Sequence, residues 1–183
     1  MRSFFTEAVK TIKTSGTIRP SSKYLIQNCL DDLNFKNANL ILEFGTGNGC
    51  ITEQILNKMN ENSILISFET NKVFYEYCKE KFKNTPQLII LNESAFHFPN
   101  KIANFSLLEP DLIISSLPLQ LFEKTEVLSF IVNIHNSLRK NGTFVQYQYS
   151  LGVYKKLQYY FKKVTLRLTL LNLPPAFVFK CLK

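Results

Sequence analysis

Residues typical of secreted, metal-binding and membrane-spanning proteins are scarce in this sequence. Its four cysteines are scattered without a C-x-x-C pair, which indicates reduced thiols in a cytosolic protein. The two histidines add too few ligands for a zinc site, so no bound metal is expected. No apolar run approaches the ~20 residues of a membrane-spanning helix. These cysteines and histidines are Cys29, Cys50, Cys78, Cys181, His97 and His135.

Acidic residues are also few relative to basic ones. The chain has 22 Lys and Arg against 14 Asp and Glu, a formal net charge of +8. Such an excess favours an anionic partner, either nucleic acid or an anionic membrane surface, although solubility alone would also explain it. We expect no secretory signal, because Glu7 and Lys10 interrupt any apolar core near the start.

Repeats, low-complexity tracts and linkers are lacking, so we expect one domain over residues 1–183, with N-terminal helices in 1–38 and a core in 39–183. Strand and helix patterns alternate along the core. Predicted strands cover 40–44, 63–69, 87–92, 111–115, 143–149, 164–171 and 177–182, and predicted helices cover 49–60, 71–83, 123–140 and 152–162. This order predicts an α/β fold with a doubly wound, mostly parallel sheet whose last strand returns antiparallel.

A glycine-rich segment follows the first strand. The strand carries Glu43 near its end and breaks into Gly45, Gly47 and Gly49 before a helical pattern begins. Glycines are needed where the backbone turns at positive φ or where a ligand touches the main chain. Cys50 stands where a dinucleotide fingerprint would need its third glycine. The Glu43 carboxylate suits a ligand that carries an ammonium and a sulfonium, and it would repel a pyrophosphate.

The G-x-G-x-G spacing resembles motif I of the class I S-adenosylmethionine-dependent methyltransferases. The resemblance implies a Rossmann-like fold, S-adenosylmethionine as cofactor, and contacts from Thr46 in the loop. The next strand ends at Glu69, 20 residues after Gly49, where a carboxylate can accept both ribose hydroxyls. Thr70 follows it as a further predicted cofactor contact. The alternative for Glu69 is a neighbour of the cap of a helix that starts at Asn71.

The third predicted strand ends beside a candidate adenine contact. Ser94 stands where class I methyltransferases usually have an Asp that reads the adenine amino group. Glu93 and Ala95 flank it, and the resemblance implies that all three residues contact the cofactor.

The fourth strand ends in Ser115 and Ser116, followed by a Leu-Pro-Leu segment. Amino-directed methyltransferases of DNA and RNA have Asn or Asp here, then Pro-Pro-Tyr or Leu-Pro-Tyr. Ser115 or Ser116 takes the polar role, with Ser115 expected at the cofactor and Ser116 and Pro118 at the acceptor. Leu119 stands where the base-stacking aromatic would be, so a stacking residue is missing.

Three segments are similar to the bacterial phospholipid N-methyltransferases, a family that methylates phosphatidylethanolamine towards phosphatidylcholine. They are residues 15–25, residues 116–119, and the Asn-Leu-Pro-Pro-Ala segment at 172–176. The likeness covers nearly the whole chain, and there is a more distant one to the rRNA adenine dimethyltransferases. It implies a phospholipid substrate, an anionic membrane partner, and a cytoplasmic protein peripherally associated with the inner leaflet.

Tyr147 and Tyr149 leave the fifth strand beside the predicted pocket. Aromatic rings stabilise cationic amines, so Tyr147 is a candidate acceptor-site residue, although packing in the core would explain both tyrosines equally. The first residues pattern as an amphipathic helix that either lies on an anionic leaflet or caps the sheet. Four lysines form either a solvated face or a lipid-phosphate contact. They are Lys155, Lys156, Lys162 and Lys163.

Two other functions compete with lipid methylation. The positive charge favours an RNA adenine N6-methyltransferase, whereas Leu119 and the lack of an RNA-binding appendage disfavour it, so nucleic acid is the second choice of partner. Ser94 favours a non-catalytic relative that binds the cofactor. The sequence leaves open the oligomeric state and the number of methyl transfers. It also leaves open whether the acceptor is phosphatidylethanolamine, a partly methylated form, or another amino-lipid such as ornithine lipid.

Overall fold

The computed structural model describes residues 22–103 and 109–183, so the helix expected before residue 16 lies outside the described residues. The strands are β1 (Leu40–Phe44), β2 (Ile64–Phe68), β3 (Leu88–Leu91), β4 (Leu112–Ser115), β5 (Thr143–Gln148), β6 (Lys163–Thr169) and β7 (Ala176–Leu182). The α-helices in these ranges are α1 (Lys23–Leu30), α2 (Cys50–Lys58), α3 (Lys72–Lys81), α4 (Phe98–Ile102), α5 (Lys124–Ser137) and α6 (Tyr154–Tyr160).

The strands form one seven-stranded sheet in the order β3-β2-β1-β4-β5-β7-β6. The first five strands are mutually parallel, and β7 runs antiparallel to both β5 and β6. This arrangement confirms the predicted doubly wound α/β fold. The order reverses between β1 and β4, where open α/β sheets form their ligand crevice.

Helices cover both faces of the sheet, as a mostly parallel sheet requires. All five residues of β1 are buried, with Leu42 and Phe44 in one hydrophobic core and Ile41 in the other. The ring of Phe44 lies 5.5 Å from that of Phe68 and 5.4 Å from that of Phe130. This packing fixes the carboxyl end of β1, from which the glycine loop departs.

Two local predictions needed correction. The helix predicted to continue to residue 140 and stop at Gly142 ends at Ser137, because Leu138 is extended and its side chain is fully buried. The positive φ of that turn falls on Asn141 instead of Gly142. The stretch after β3, predicted as irregular, contains the short helix α4, with a proline in its first turn.

The β6–β7 hairpin carries its turn, residues 170–175, to the cavity edge of the sheet, since Gln148 at the end of β5 pairs with Phe177. Asn172 holds this turn from inside. Its Oδ1 accepts from the Ser22 N–H (3.1 Å) and its Nδ2 donates to Pro174 O (2.7 Å). The start of α1 and the hairpin turn are therefore joined.

None of the helices within 22–103 and 109–183 is both long and apolar enough to cross a membrane. The same ranges contain no group of three or more His, Cys, Asp or Glu side chains that could hold a metal ion.

Candidate active site

The glycine loop after β1 turns through three residues of positive φ: Gly45 (87°), Gly47 (53°) and Gly49 (77°). A Cβ at Gly45 would lie 2.4 Å from the hydroxyl of Ser116, and one at Gly49 would lie 2.7 Å from the ring of Phe82. A Cβ at Gly47 would meet no atom within 4 Å. Gly45 and Gly49 thus permit close packing, whereas Gly47 exposes main chain to open space that a ligand can fill.

That space belongs to a cavity of about 560 Å³ at the carboxyl edge of the sheet, which we call the active-site cavity. Eight of the residues predicted for the site line it: Gly45, Thr46, Gly47, Glu69, Thr70, Ser116, Pro118 and Tyr147. The other six do not: Glu43, Gly49, Glu93, Ser94, Ala95 and Ser115. Tyr149, which the sequence placed beside the pocket, lines it as well. Residues that line it but were not predicted are Asn48, Cys50, Ile51, Asn71, Phe74, Leu117, Gln120, Leu121, Phe122 and Gln148.

Glu69 joins the glycine loop to the start of α3. Its Oε2 accepts from the Gly47 N–H (2.8 Å) and its Oε1 accepts from the Asn71 N–H (2.8 Å). Asn71 in turn caps α3, so Glu69 is the cap neighbour of the alternative interpretation and also a cavity residue. Because each carboxylate oxygen has a second acceptor site, Glu69 keeps the capacity to accept ribose hydroxyls. Asn92, which was not predicted, donates to Glu69 O (2.8 Å).

Glu43 lies beneath the loop, 1% exposed, and its predicted contact with the cofactor's charges does not match this position. Its Oε2 accepts from the hydroxyls of Thr52 and Ser67, each at 2.7 Å, and its Oε1 has no partner among the described residues. Burial raises the pKa of this carboxyl to about 7, although those hydrogen bonds oppose the shift. Ser67 Oγ is 2.5 Å from the hydroxyl of Thr46, so a series of hydrogen bonds through Ser67 and Thr46 connects Glu43 to the cavity.

The residues after β3 have local roles. Glu93 forms an ion pair with Lys101 (2.5 Å), which holds the pKa of Glu93 below its ordinary value. Ser94 caps the short 3₁₀ helix 95–97 and Ala95 is buried in the core. These three residues do not line the cavity, where the predicted contact with adenine would be made.

The segment after β4 is fixed to the glycine loop. Ser116 Oγ donates to Gly45 O (2.9 Å), and Ser115, fully buried, accepts from the Leu117 N–H (3.3 Å). Leu119 is 1% exposed and packs in the core, away from the cavity. The nearest aromatic side chain that follows is Phe122, which lines the cavity and lies 4.8 Å from Phe96, ring to ring.

The end of β5 supplies the opposite side of the cavity. Tyr147 lines it and also packs against the second hydrophobic core, and its role as an acceptor-site residue stays a prediction. The rings of Tyr147 and Tyr149 meet edge to face at 6.3 Å. Gln146 and Gln148 both donate to Leu117 O, at 3.1 and 2.9 Å. Sequence reasoning missed Gln148, although its position one residue after Tyr147 at a strand end was the available signal.

A comparison with known families decides the class of protein. A sequence model described as ribosomal RNA adenine dimethylase matches residues 21–168. The chain belongs to the ribosomal RNA adenine dimethylase family.

Relatives of this family member differ in how much of the chain they share. An ornithine lipid N-methyltransferase of Singulisphaera acidiphila is 25% identical over 185 residues, covering 99% of this chain and 96% of that protein. Ribosomal RNA small subunit methyltransferase A of Persephonella marina is 31% identical over 75 residues, covering 41% of this chain and 28% of that protein.

Solved structures share the fold of this family member. Precorrin-6y C5,15-methyltransferase from Geobacter metallireducens superimposes with a TM-score of 0.70 at 14% identity, covering 88% of this chain and 90% of that one. The N-methyltransferase NodS from Bradyrhizobium japonicum gives 0.65 at 13% identity, covering 100% and 95%. At such identities the likeness concerns the fold alone.

This dimethylase-family chain is therefore a class I methyltransferase, and S-adenosylmethionine is its cofactor, as predicted. The cavity fits that group on two observations. Gly47 leaves main chain open to it, and the nearly buried carboxylate of Glu69 faces it with free acceptor capacity.

Proposed function

We propose that the protein transfers a methyl group from S-adenosylmethionine to the amine headgroup of a lipid at a membrane surface. Phosphatidylethanolamine, converted towards phosphatidylcholine, is the acceptor we favour. Ornithine lipid, the substrate named for the full-length relative, offers the same chemistry because it also carries an amine.

The observation that carries this proposal is a set of exposed apolar side chains at the cavity edge of the sheet. Leu121 lines the cavity and is 77% exposed. The hairpin turn 170–175, at the same edge, adds three leucines that are each about two-thirds exposed: Leu170, Leu171 and Leu173. Exposed apolar patches of this kind mark interaction surfaces, and a lipid acceptor must enter from an apolar phase.

The hairpin turn, which Asn172 holds to Ser22, presents these leucines on a fixed base. The segment predicted to form an amphipathic helix lies before residue 16, ahead of Ser22 in the chain. Together they support docking on the cytoplasmic face of the inner membrane.

Basic residues divide between the two edges of the sheet. Lys155 and Lys156 lie in the first turn of α6, which follows the cavity end of β5. Lys163 pairs with Leu182, and Thr143 at the start of β5 pairs with the same residue, so Lys162 and Lys163 lie at the opposite edge. Only the first pair supports contact with lipid phosphates near the cavity, worth about 1 kcal/mol per lysine.

The proposed mechanism rests on alignment. When bound, S-adenosylmethionine supplies a methyl group on a positively charged sulfur. Glu69 and Thr70 would contact the ribose of the cofactor. Thr46 and Gly47 would line the open part of the loop against which the cofactor lies. Ser116, bonded to Gly45 O, keeps the acceptor segment and Pro118 at a fixed distance from the loop. A neutral amine in line with the transferred carbon needs proximity more than a strong base, and the ring of Tyr147 would face the cation that develops.

RNA adenine methylation is the second candidate, because the family model and two small-subunit rRNA methyltransferases match this chain. Against it, Leu119 is buried in the core, and the two rRNA enzymes match over only 41% and 29% of the chain. Flipping a base out of its stack costs a few kcal/mol, and Leu119 provides no aromatic ring that could stack on the flipped base.

The test compares methyl acceptors with labelled S-adenosylmethionine. We expect label in phosphatidylethanolamine or ornithine lipid of anionic vesicles and none in RNA. Label in RNA as N6-methyladenine with unlabelled lipid would reverse the choice. Binding of cofactor with no transfer to either acceptor would favour the non-catalytic alternative.

A further inference from the structure

The amide of Gln148 is the feature of the cavity that the proposed mechanism leaves unused. Gln148 is the last residue of β5, is 2% exposed, and lines the active-site cavity. Its Nε2 donates to Leu117 O, while its Oε1 has no hydrogen-bond partner among the described residues.

Leu117 determines which way this amide points. Its carbonyl oxygen accepts from the amide nitrogens of both Gln146 and Gln148. A carbonyl cannot pair with another oxygen acceptor, so both glutamines must turn nitrogen towards Leu117 and oxygen away from it. The free Oε1 of Gln148 is thus a consequence of the hydrogen bonds around it.

The two glutamines differ in one respect. Gln146 is fully buried and does not line the cavity, whereas Gln148 does. A buried acceptor without a donor destabilises a protein, and a ligand that brings an N–H to it removes that penalty. Gln148 Oε1 is therefore a buried acceptor without a donor on a residue of the cavity wall, next in sequence to Tyr147.

We propose that Gln148 Oε1 accepts an N–H of the acceptor amine and so favours amines that still carry hydrogen; this inference rests on the proposed function. In the transfer, the amine lone pair forms the new N–C bond, the C–S bond breaks, and its electron pair stays on sulfur. The nitrogen becomes cationic and later loses a proton to water. As positive charge develops, its N–H becomes a stronger donor and the bond to Gln148 strengthens.

The consequence is an ordered preference among headgroups. A primary amine presents two N–H groups, a monomethylated amine presents one, and a neutral dimethylated amine presents none. Gln148 therefore accelerates methylation of the primary and the monomethylated amine and does not accelerate methylation of the dimethylated amine.

The experiment compares kcat/KM on vesicles that contain phosphatidylethanolamine or its N,N-dimethyl form. Gln148→Met keeps the length of the side chain and removes the acceptor. We expect it to lower kcat/KM at least about tenfold on the primary amine, as for loss of a hydrogen bond to a charged group, with little change on the dimethyl lipid. Gln146→Met is the matched control, because it also removes a donor to Leu117 O and should affect both lipids alike.

Equilibrium binding gives a second measurement that does not depend on the number of transfers. Short-chain phosphatidylethanolamine and phosphatidylcholine are titrated into protein saturated with S-adenosylhomocysteine. Gln148→Met should weaken binding of the first lipid and leave the second unchanged. Gln148→Leu, which also removes the acceptor, should lose the same preference and serves if the Met variant does not fold.

The outcomes separate the two proposals. Wild-type protein that neither turns over nor binds any lipid overturns the proposed function and this role with it. Wild-type protein that uses lipid, with the same headgroup preference in Gln148→Met, overturns this role alone. A loss of S-adenosylhomocysteine affinity in Gln148→Met would instead assign the free oxygen to the cofactor and would also overturn it.

Discussion

The active-site cavity has two halves of different construction. The half that we propose for the cofactor, called the cofactor half, comprises residues 45–51 and 69–74 and is fixed through the main chain, with the Gly47 N–H bonded to Glu69. The half that we propose for the methyl acceptor, called the acceptor half, comprises residues 116–122 and 147–149 and is shaped by side chains such as Leu121, Phe122 and Gln148. A main-chain site tolerates few changes, whereas a side-chain site can change its substrate. This difference between the two halves agrees with the names of two relatives of the chain, one of which specifies a lipid acceptor and the other a ribosomal RNA acceptor.

The largest effect is expected at Gly47. Gly47→Val should abolish binding of S-adenosylhomocysteine, because a branched side chain would occupy the open space and φ is +53° there. Calorimetry on the folded variant measures this. Gly152→Ala is the control, since its Cβ would lie no nearer than 3.8 Å to another residue. Normal affinity in Gly47→Val would show that the cofactor half lies elsewhere.

Glu69→Ala should weaken S-adenosylhomocysteine binding by about 1–3 kcal/mol, through loss of a charged hydrogen bond. Glu93→Ala is the matched control, because Glu93 was predicted for the same cofactor but pairs with Lys101 outside the cavity. Equal losses in the two variants would extend the cofactor half to the end of β3.

In the acceptor half, Tyr147→Ala should remove about 0.5–2 kcal/mol of cation stabilisation from the transition state. It should therefore lower kcat while cofactor affinity is kept. Tyr147→Phe retains the ring and should retain most of the activity. If Tyr147→Ala loses cofactor affinity as well, the two halves are not independent.

The hairpin turn should contribute a smaller effect, seen in vesicle sedimentation. Leu171→Ser should weaken binding to anionic vesicles by about 1 kcal/mol, part of the value of burying a leucine. Tyr159→Ser is the control, since Tyr159 is exposed at the far end of α6. The same loss in both variants would argue against docking through the cavity edge.

A separate prediction concerns pH. Because the pKa of Glu43 rises from 4.5 to about 7 in the folded protein, the unfolded chain holds fewer protons between these values. The free energy of unfolding should therefore fall as pH rises from 4.5 to about 7 and then level. Urea unfolding across this range should show a shallower slope for Glu43→Gln. A parallel slope would mean that Glu43 is already ionised in the folded state.

The sequence could predict that the glycine loop and Glu69 lie at one site, the cavity that they line, because their signals are local. Glycines at fixed spacing and a carboxylate at a strand end, here Glu69, are required by backbone geometry. Both can be recognised from a short stretch of sequence. Glu43 shows the limit of such signals. Its position at a strand end was correct, but only the packed sheet reveals that its side chain lies under the loop, bonded to Thr52 and Ser67.

The acceptor half could not be predicted in the same detail. The Leu-Pro motif suggested which residues belong there, but the direction of Leu119 depends on core packing. The role of Gln148 depends on the parallel pairing of β4 and β5, which brings Leu117 O within reach of it. Contacts between distant segments leave no periodic pattern in the sequence.

The position of β7 between β5 and β6 has a consequence for synthesis of the chain. β6 leaves the ribosome before the strand with which it pairs, and β5 waits with an open edge for the same partner. Until β7 arrives, two unpaired strand edges are available to other nascent chains, a condition that promotes aggregation. Chaperone demand should therefore be greatest before β7 pairs with these two strands.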